Sequence, residues 1–202
     1  MSEPDEIEID AFKEVFNIGV GYAADSLSQM VKEPVILTIP ELSLACGKTA
    51  IVDRVFPHTK AYSMVTQQFS GDLNAEAVIM FPEDKSLELV RLMVGEEIPA
   101  EEMNAMEQET LTEIGNIMLN SCISTISNTI GSQFQCTMPR YLSGNMNDLF
   151  PDHSNDDDCL LTLNIDLLVE SKQIHGHMMF LMKMDSLDTF KHAVMKYLGL
   201  AK

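Results

Sequence analysis

The chain has 202 residues, 46% of them hydrophobic, which is enough for one large domain or two small ones that share a core. Its formal net charge of −18 would repel a phosphate backbone and argues against nucleic-acid binding. No apolar run approaches the length of a membrane span, about 18 residues, and the acidic N-terminus is unlike a secretory signal. We therefore expect a cytoplasmic protein that does not insert into a membrane.

The first predicted helix covers residues 10–31, with Asp10 as its N-cap. It ends before Pro34, because the residue that precedes a proline disfavours helical backbone. After it we predict, in order, a strand at 35–39, strands around 49–56, 60–69 and 74–81, and an amphipathic helix at 84–94 that stops at Gly95.

The second half of the chain predicts a similar order of elements, beginning with a long helix at about 101–130 that stops at Gly131. The remaining predicted elements are a strand near 133–138, a polar loop with Pro151 and the acidic run 156–158, strands around 159–169 and 174–183, and a helix at 185–198. We expect an α/β (α+β) fold, with a central antiparallel sheet that carries the two long helices on one face.

A sparse polar pattern occurs twice, 99 residues apart. In both copies a proline lies 23 residues after the asparagine, so two separate spacings repeat together. The copies are Asp10, Glu14, Asn17 and Pro40 in the first half, and Glu109, Glu113, Asn116 and Pro139 in the second. This repetition predicts an internal duplication, in which a single pseudo-two-fold domain consists of two repeats, about 8–99 and 101–200.

Helical geometry places each copy of the pattern on one stripe of its helix. At about 100° per residue, the polar positions fall within a stripe roughly 60° wide, and apolar residues occupy the opposite side. The stripes are Asp10, Glu14, Asn17 and Gly21 on the first helix, and Glu109, Glu113, Asn116 and Asn120 on the second. Each Glu–Asn pair is therefore predicted to face solvent or a partner from a rigid element.

The duplicated acid, Glu, Asn and Pro resemble the motif of the CheC/CheX/FliY phosphatases of bacterial chemotaxis, and most of all the two-site CheC type. Residues 12–21 and 111–117 are similar to the two active-site helices of that family. The resemblance implies hydrolysis of the aspartyl phosphate of a CheY-like response regulator, with a CheD-like receptor deamidase as a further partner. It implies the catalytic residues Glu14 with Asn17 and Glu113 with Asn116, flanked by Asp10, Pro40, Glu109 and Pro139.

The first copy departs from the family pattern more than the second. Phe16 stands where the family usually has glycine, and Tyr22 stands where a small or polar residue is common. The second copy keeps Gly115 but has Glu109 where Asp or Ser is usual. A bulky group beside Asn17 would restrict the approach of a partner unless Phe16 faces the core.

An acid and an amide are sufficient for the implied reaction, because a phosphorylated response regulator already holds the acyl phosphate, a divalent metal and a lysine. We expect Asn17 and Asn116 to position the attacking water, since an amide both donates and accepts hydrogen bonds. Glu14 and Glu113 would pair with the lysine of the partner. We expect no metal or cofactor of the chain's own, because Mg²⁺ would come with the phosphorylated partner.

Other functions remain open on the sequence alone. The chain could be a non-catalytic binding module or scaffold for a response regulator or a CheD-like deamidase, and a FliY-like structural part of the flagellar switch is a third hypothesis. Three helical glycines, Gly19, Gly21 and Gly115, permit either close approach of a partner or close packing within the fold.

Several further signals are interpreted as structural. We expect His175 and His177 to be a surface pair rather than a metal site, and the acidic segment 152–158 to be a solvated loop rather than a calcium site. The methionines around 178–184 are expected to fill the core. The four cysteines have no C-x-x-C spacing and are expected to be reduced thiols, mostly buried.

Overall fold

In the described ranges, the elements lie in the order helix, three strands and helix, followed by a second long helix, four strands and a helix. The computed structural model describes residues 5–46, 61–72, 74–95, 100–144 and 159–200, with the backbone alone described at 40–46, 100–105, 159–164 and 183–185. The helices are α1 (Glu6–Val31), α2 (Glu83–Val94), α3 (Ala100–Ile130) and α4 (Met184–Tyr197). The strands are β1 (Val35–Cys46), β2 (Tyr62–Gly71), β3 (Ala75–Pro82), β4 (Phe134–Cys136), β5 (Arg140–Gly144), β6 (Cys159–Val169) and β7 (Ile174–Lys183), with a 3₁₀ turn at Glu170–Lys172.

Helix α1 begins earlier than predicted. Its N-cap is Asp5, whose side chain accepts a hydrogen bond from the backbone N–H of Glu8 at 2.9 Å. The Glu8 carboxylate accepts in return from the Asp5 N–H at 3.0 Å, which completes a capping box. The prediction that Asp10 is the N-cap is therefore wrong, because a stronger cap occurs one and a half turns upstream.

The sheet has seven strands in the described part of the chain, and every pair in it is antiparallel. The order is β1-β6-β7-β3-β2, with β4 and β5 both paired to β2 at the far edge. The β7–β3 pair lies at the centre, and each half of the chain places its first strand beside the other half. This palindromic order is what two repeats would produce, while the division into repeats stays a prediction.

The four helices of the described ranges pack on one face of the sheet, which includes the two long helices that were predicted to lie there. The main core joins apolar residues of every helix to one face of the strands, including Val65 and Phe69 of β2. Tyr62 and Met64 point to the opposite face, where a smaller cluster of strand residues forms. Met178, Met179 and Met182 are buried, which confirms the structural interpretation for these three. No helix in the described ranges is long and apolar enough to cross a membrane.

Pro40 and Pro139, which complete the two copies of the pattern, both lie where an edge strand is interrupted. The register of β1 against β6 shifts between Thr38 and Glu41, around Pro40. Pro139 lies between β4 and β5: the strand predicted near 133–138 is present as the shorter β4, and β5 lies in a stretch that was predicted as loop. Proline has no N–H to donate to a ladder, so it is tolerated at such interruptions.

The ends of the described helices agree with the predicted stops. Gly95, Gly131 and Gly199 follow α2, α3 and α4, and each has a positive φ. The predicted strand at 49–56, the loop containing Pro151 and the acidic run 156–158 lie outside the described residues.

Candidate active site

The first candidate site is the exposed stripe of α1. Glu14, Asn17, Asp10 and Gly21 are all exposed, so the 3.6-residue period brings the whole predicted stripe to the surface. The opposite side of α1 is buried, with Phe12, Val15 and Phe16 among its core residues. The Glu–Asn pair therefore stands on a helix whose position is determined by the core behind it.

Phe16 belongs to the core and does not crowd Asn17. It is 3% exposed, and its ring centroid lies 5.1 Å from that of Phe180 and 5.6 Å from that of Phe190. The bulky residue before the asparagine therefore packs α1 onto the sheet and onto α4. Tyr22, by contrast, is 60% exposed and borders the first site next to Gly21.

The second candidate site lies on α3 and has the same arrangement. Glu109 and Glu113 are exposed, and Asn116 is half-buried. Leu111 and Ile114, on the opposite side of the helix, are buried in the main core. An open groove between α2 and α3 borders this site and includes Met93 and Val94 with Glu109 and Glu113 in its lining.

The helices that carry the two sites pack directly against each other. Ser26 of α1 and Ser121 of α3 share a hydrogen bond of 2.9 Å between their hydroxyls. A Cβ added at Gly19 would lie 2.8 Å from the backbone oxygen of Cys122, so glycine allows this close contact. The two helices consequently form one rigid layer, and both polar stripes face away from its core.

The three helical glycines separate into two classes. Gly19 and Gly115 are packing residues, because a Cβ at Gly115 would lie 2.5 Å from the side chain of Val65. Gly21 has nothing within 4 Å of such an atom and lies on the exposed stripe. Of the three, Gly21 is the one with open space beside it.

Asn116 is joined to a row of amides that sequence reasoning did not anticipate. Asn120 Nδ2 donates to Asn116 Oδ1 at 2.8 Å. Gln67 Nε2, from β2, donates to Asn120 Oδ1 at 3.4 Å and to the backbone oxygen of Thr137 at 2.9 Å. The helical spacing placed Asn120 on the stripe, but nothing in the sequence singled out Gln67.

The histidine pair is separate from the two stripes. His177 Nδ1 on β7 lies 3.2 Å from Asp166 Oδ1 on β6, and burial lowers the pKa of His177 despite this carboxylate. In the ranges that the structure describes, no group of three or more His, Cys, Asp or Glu side chains could hold a metal ion.

Comparison with known proteins agrees with this arrangement. A family model described as chemotaxis phosphatase CheX matches residues 63–156. The CheY-P phosphatase CheC of Bacillus subtilis (strain 168) is 22% identical over 137 residues, which are 66% of this chain and 65% of that protein. These similarities relate the chain to the CheC/CheX/FliY family.

Solved structures share the fold across nearly the whole chain. FliY of Thermotoga maritima has a TM-score of 0.79 at 19% identity, covering 97% of this chain and 100% of that one. CheX of Borrelia burgdorferi, in a complex with CheY, BeF3 and Mg²⁺, has a TM-score of 0.57 at 16% identity, covering 83% and 95%. FliM of H. pylori, in a complex with SpeE, has a TM-score of 0.69 at 9% identity, covering 98% and 99%.

The CheX family model covers one of the two candidate sites. Residues 63–156 include Glu113, Asn116 and Pro139 and do not reach Glu14 or Asn17. The curated CheC relative is matched over 65% of its own length. The similarity therefore assigns no role to either Glu–Asn pair.

Proposed function

We propose that this chain is a phosphatase that hydrolyses the aspartyl phosphate of a phosphorylated CheY-like response regulator. The observation that carries the proposal is the repeated placement of an acid and an amide, one helical turn apart, on a surface backed by rigid core packing. Glu14 and Asn17 are exposed on α1, and Glu113 and Asn116 are accessible on α3. Similarity to the CheX family model and to the CheY-P phosphatase CheC supports the same reaction.

The proposed chemistry needs little from the chain besides orientation. The oxygen of a water molecule attacks phosphorus in line with the bond to the aspartate, that P–O bond breaks, and aspartate leaves as a free carboxylate. The asparagine holds the water, because its amide offers both a donor and an acceptor. Orientation of this kind is sensitive, since a displacement of about 1 Å can cost roughly 100-fold in rate.

The glutamate of each pair has a proposed role different from that of the asparagine. Glu14 and Glu113 pair with the lysine of the response regulator, which fixes the helix against the phosphorylated site. The Mg²⁺ that the regulator carries neutralises charge on the phosphoryl group, so the chain adds no metal. The acidic surface of the chain, with its formal net charge of −18, favours approach to a basic patch on the partner.

A second candidate function is supported by the structural similarity to FliM and FliY. The FliM fold matches 98% of this chain at a TM-score of 0.69, and the same architecture therefore serves proteins other than CheC and CheX. On this alternative the chain binds a response regulator, or a CheD-like deamidase, without hydrolysing a phosphate. The two Glu–Asn pairs would then contribute to binding alone.

Phosphate release from a phosphorylated CheY-like regulator with Mg²⁺ distinguishes the two functions. We expect the wild-type chain to accelerate release, Asn17→Ala and Asn116→Ala each to remove part of that acceleration, and the double variant to remove nearly all of it, by about 100-fold. Binding of a regulator stabilised by BeF3 is measured in parallel. If the wild-type chain binds the stabilised regulator but does not accelerate phosphate release, the phosphatase function is rejected and the binding module is supported.

The chain offers a matched pair of controls for this assay. Gln29 and Asn128 are exposed amides near the C-terminal ends of the same two helices and are also 99 residues apart. Gln29→Ala and Asn128→Ala should leave phosphate release unchanged. A loss equal to that of the site variants would indicate that the two asparagines have no special part.

A further inference from the structure

Asn116 is held at one end of a chain of three side-chain amides, here called the amide ladder: Gln67, Asn120 and Asn116. The donors and acceptors follow one direction, from Gln67 Nε2 to Asn120 Oδ1 at 3.4 Å and from Asn120 Nδ2 to Asn116 Oδ1 at 2.8 Å. The far end is anchored by the backbone oxygen of Thr137, which accepts from Gln67 Nε2 at 2.9 Å.

The backbone carbonyl determines which way every amide in the ladder points. A carbonyl oxygen can only accept, so Gln67 must turn its NH₂ group towards Thr137. The same NH₂ group then requires the oxygen of Asn120, which leaves the NH₂ group of Asn120 to face Asn116. Asn116 must therefore present Oδ1 to Asn120. A rotation of its amide by 180° would place the NH₂ group of Asn116 against the NH₂ group of Asn120, and neither can accept.

The buried end of the ladder is costly for folding. Gln67 is 2% exposed, and its Oε1 is a buried oxygen with no hydrogen-bond partner in the part of the chain that the structure describes. An apolar residue at this position of β2 would avoid that unsatisfied group. Stability alone therefore does not account for a glutamine here.

The ladder leaves Asn116 with the groups that the proposed reaction needs. Its Oδ1 accepts one hydrogen bond from Asn120 and keeps a second lone pair, and its own NH₂ group keeps two donors. We propose that Asn120 and Gln67 are positioning residues that hold the Asn116 amide in the orientation used on the attacking water. This inference rests on the phosphatase function proposed above.

The two sites differ at this point. The residue four positions after Asn17 is Gly21, where the second site has Asn120. Glycine has no side chain to donate to Asn17, so α1 cannot supply a ladder of the same kind. The second site is accordingly the one whose asparagine is preorganised from within the fold.

Kinetics in the Asn17→Ala background test the ladder at the second site alone. We expect Asn120→Ala to lower the turnover of saturating phosphorylated regulator by about 10-fold with KM little changed, because orientation rather than binding is lost. Gln67→Leu should lower turnover less, since it acts through Asn120. The double variant should be no slower than Asn120→Ala, because residues of one chain of contacts are not additive. Unchanged turnover, or strictly additive losses, would overturn the proposal.

A spectroscopic measurement keeps the test independent of catalysis. The ¹⁵N–¹H signals of the Asn116 side-chain NH₂ should shift in Asn120→Ala and in Gln67→Leu, and should not shift in the exposed control Asn128→Ala. Signals that stay in place in both ladder variants would overturn the inference. An Asn17→Ala parent that does not accelerate phosphate release would instead contradict the phosphatase function at this site, and the spectra would still decide whether the ladder holds the amide.

Discussion

Gly115 of α3 lies so close to Val65 of β2 that a Cβ atom on the glycine would be 2.5 Å from Val65 Cγ1 and 2.7 Å from Val65 Cβ. Val65 is 1% exposed and cannot move aside without disturbing the core. Asn116 is the next residue along the helix. The distance between helix and sheet at this point therefore determines where the second site stands.

We expect Gly115→Ala to destabilise the protein and to impair the second site. Overpacking costs about 1–3 kcal/mol, and the gain from removing a helical glycine, about 1 kcal/mol, offsets only part of that cost. Urea denaturation should show a net loss of up to about 2 kcal/mol in the free energy of unfolding. Phosphate release in the Asn17→Ala background should fall as well, since Asn116 is displaced.

Gly21→Ala is the matched control for that substitution. It also replaces a helical glycine, but no atom lies within 4 Å of the new Cβ position. We expect a gain of about 0.5–1 kcal/mol from the reduced backbone entropy of the unfolded chain. Equal stabilities of the two variants would contradict the packing role of Gly115.

The buried carboxylate of Glu107 gives a second prediction about stability. Glu107 is 8% exposed and accepts hydrogen bonds from Ser86 Oγ at 2.5 Å and from Ser63 Oγ at 2.8 Å. It thereby ties α3 to α2 and β2. Glu107→Ala should cost about 1–3 kcal/mol in the free energy of unfolding, because two buried hydroxyls lose an acceptor. The exposed control Glu109→Ala should change it by less than about 0.5 kcal/mol, and an equal effect would reject the buried network.

The two described free cysteines should differ in reactivity. Cys122 is buried against Gly19, and burial raises the pKa of its thiol, so almost no thiolate forms near neutral pH. Cys136 is exposed. We expect a maleimide to modify Cys136 in the native protein and Cys122 only after denaturation, as measured by mass spectrometry of the digested chain. Fast native modification of Cys122 would contradict the close packing of α1 on α3.

His177 should make stability depend on pH in the acidic range. Its pKa is lowered chiefly by burial and also by His175, although Asp166 acts in the opposite direction. Below about pH 6.5 the unfolded chain takes up this proton before the folded chain does, so the free energy of unfolding falls as pH falls. His177→Asn should flatten that decline in urea titrations between neutral and mildly acidic pH. The same substitution at the exposed His192 is the control, and an equally steep curve for His177→Asn would contradict the assignment.

Local signals in the sequence were sufficient for most helices and for the polar stripes. The exposure of Glu14, Asn17 and Glu113 follows from helical periodicity, because one angle per residue decides which side of a helix a residue occupies. The N-terminus of α1 was misplaced even though Asp5 and Glu8 have the spacing of a capping box. Both residues lie in an acidic segment, so their capping box does not stand out from the neighbouring carboxylates.

Local sequence signals could not predict which strands pair with each other. The exchange of β1 and β5 between the two halves of the sheet joins residues such as Val35 and Val169, which no local pattern connects. Strand β5 is a similar case, because residues 140–144 were predicted as loop and form a strand by pairing with β2. Alternation in polarity predicts that a strand exists but does not name its partner.

The sequence by itself determined that two helices would each display a glutamate and an asparagine on the side opposite the core, since that result depends only on the helical repeat. Only the tertiary structure decided that Gln67 would reach Asn120 and that Gly115 would touch Val65. The residues of the first pair are 53 positions apart in the chain. Contacts of this kind depend on how helix and sheet pack in space, and spacing along a chain carries no information about that distance.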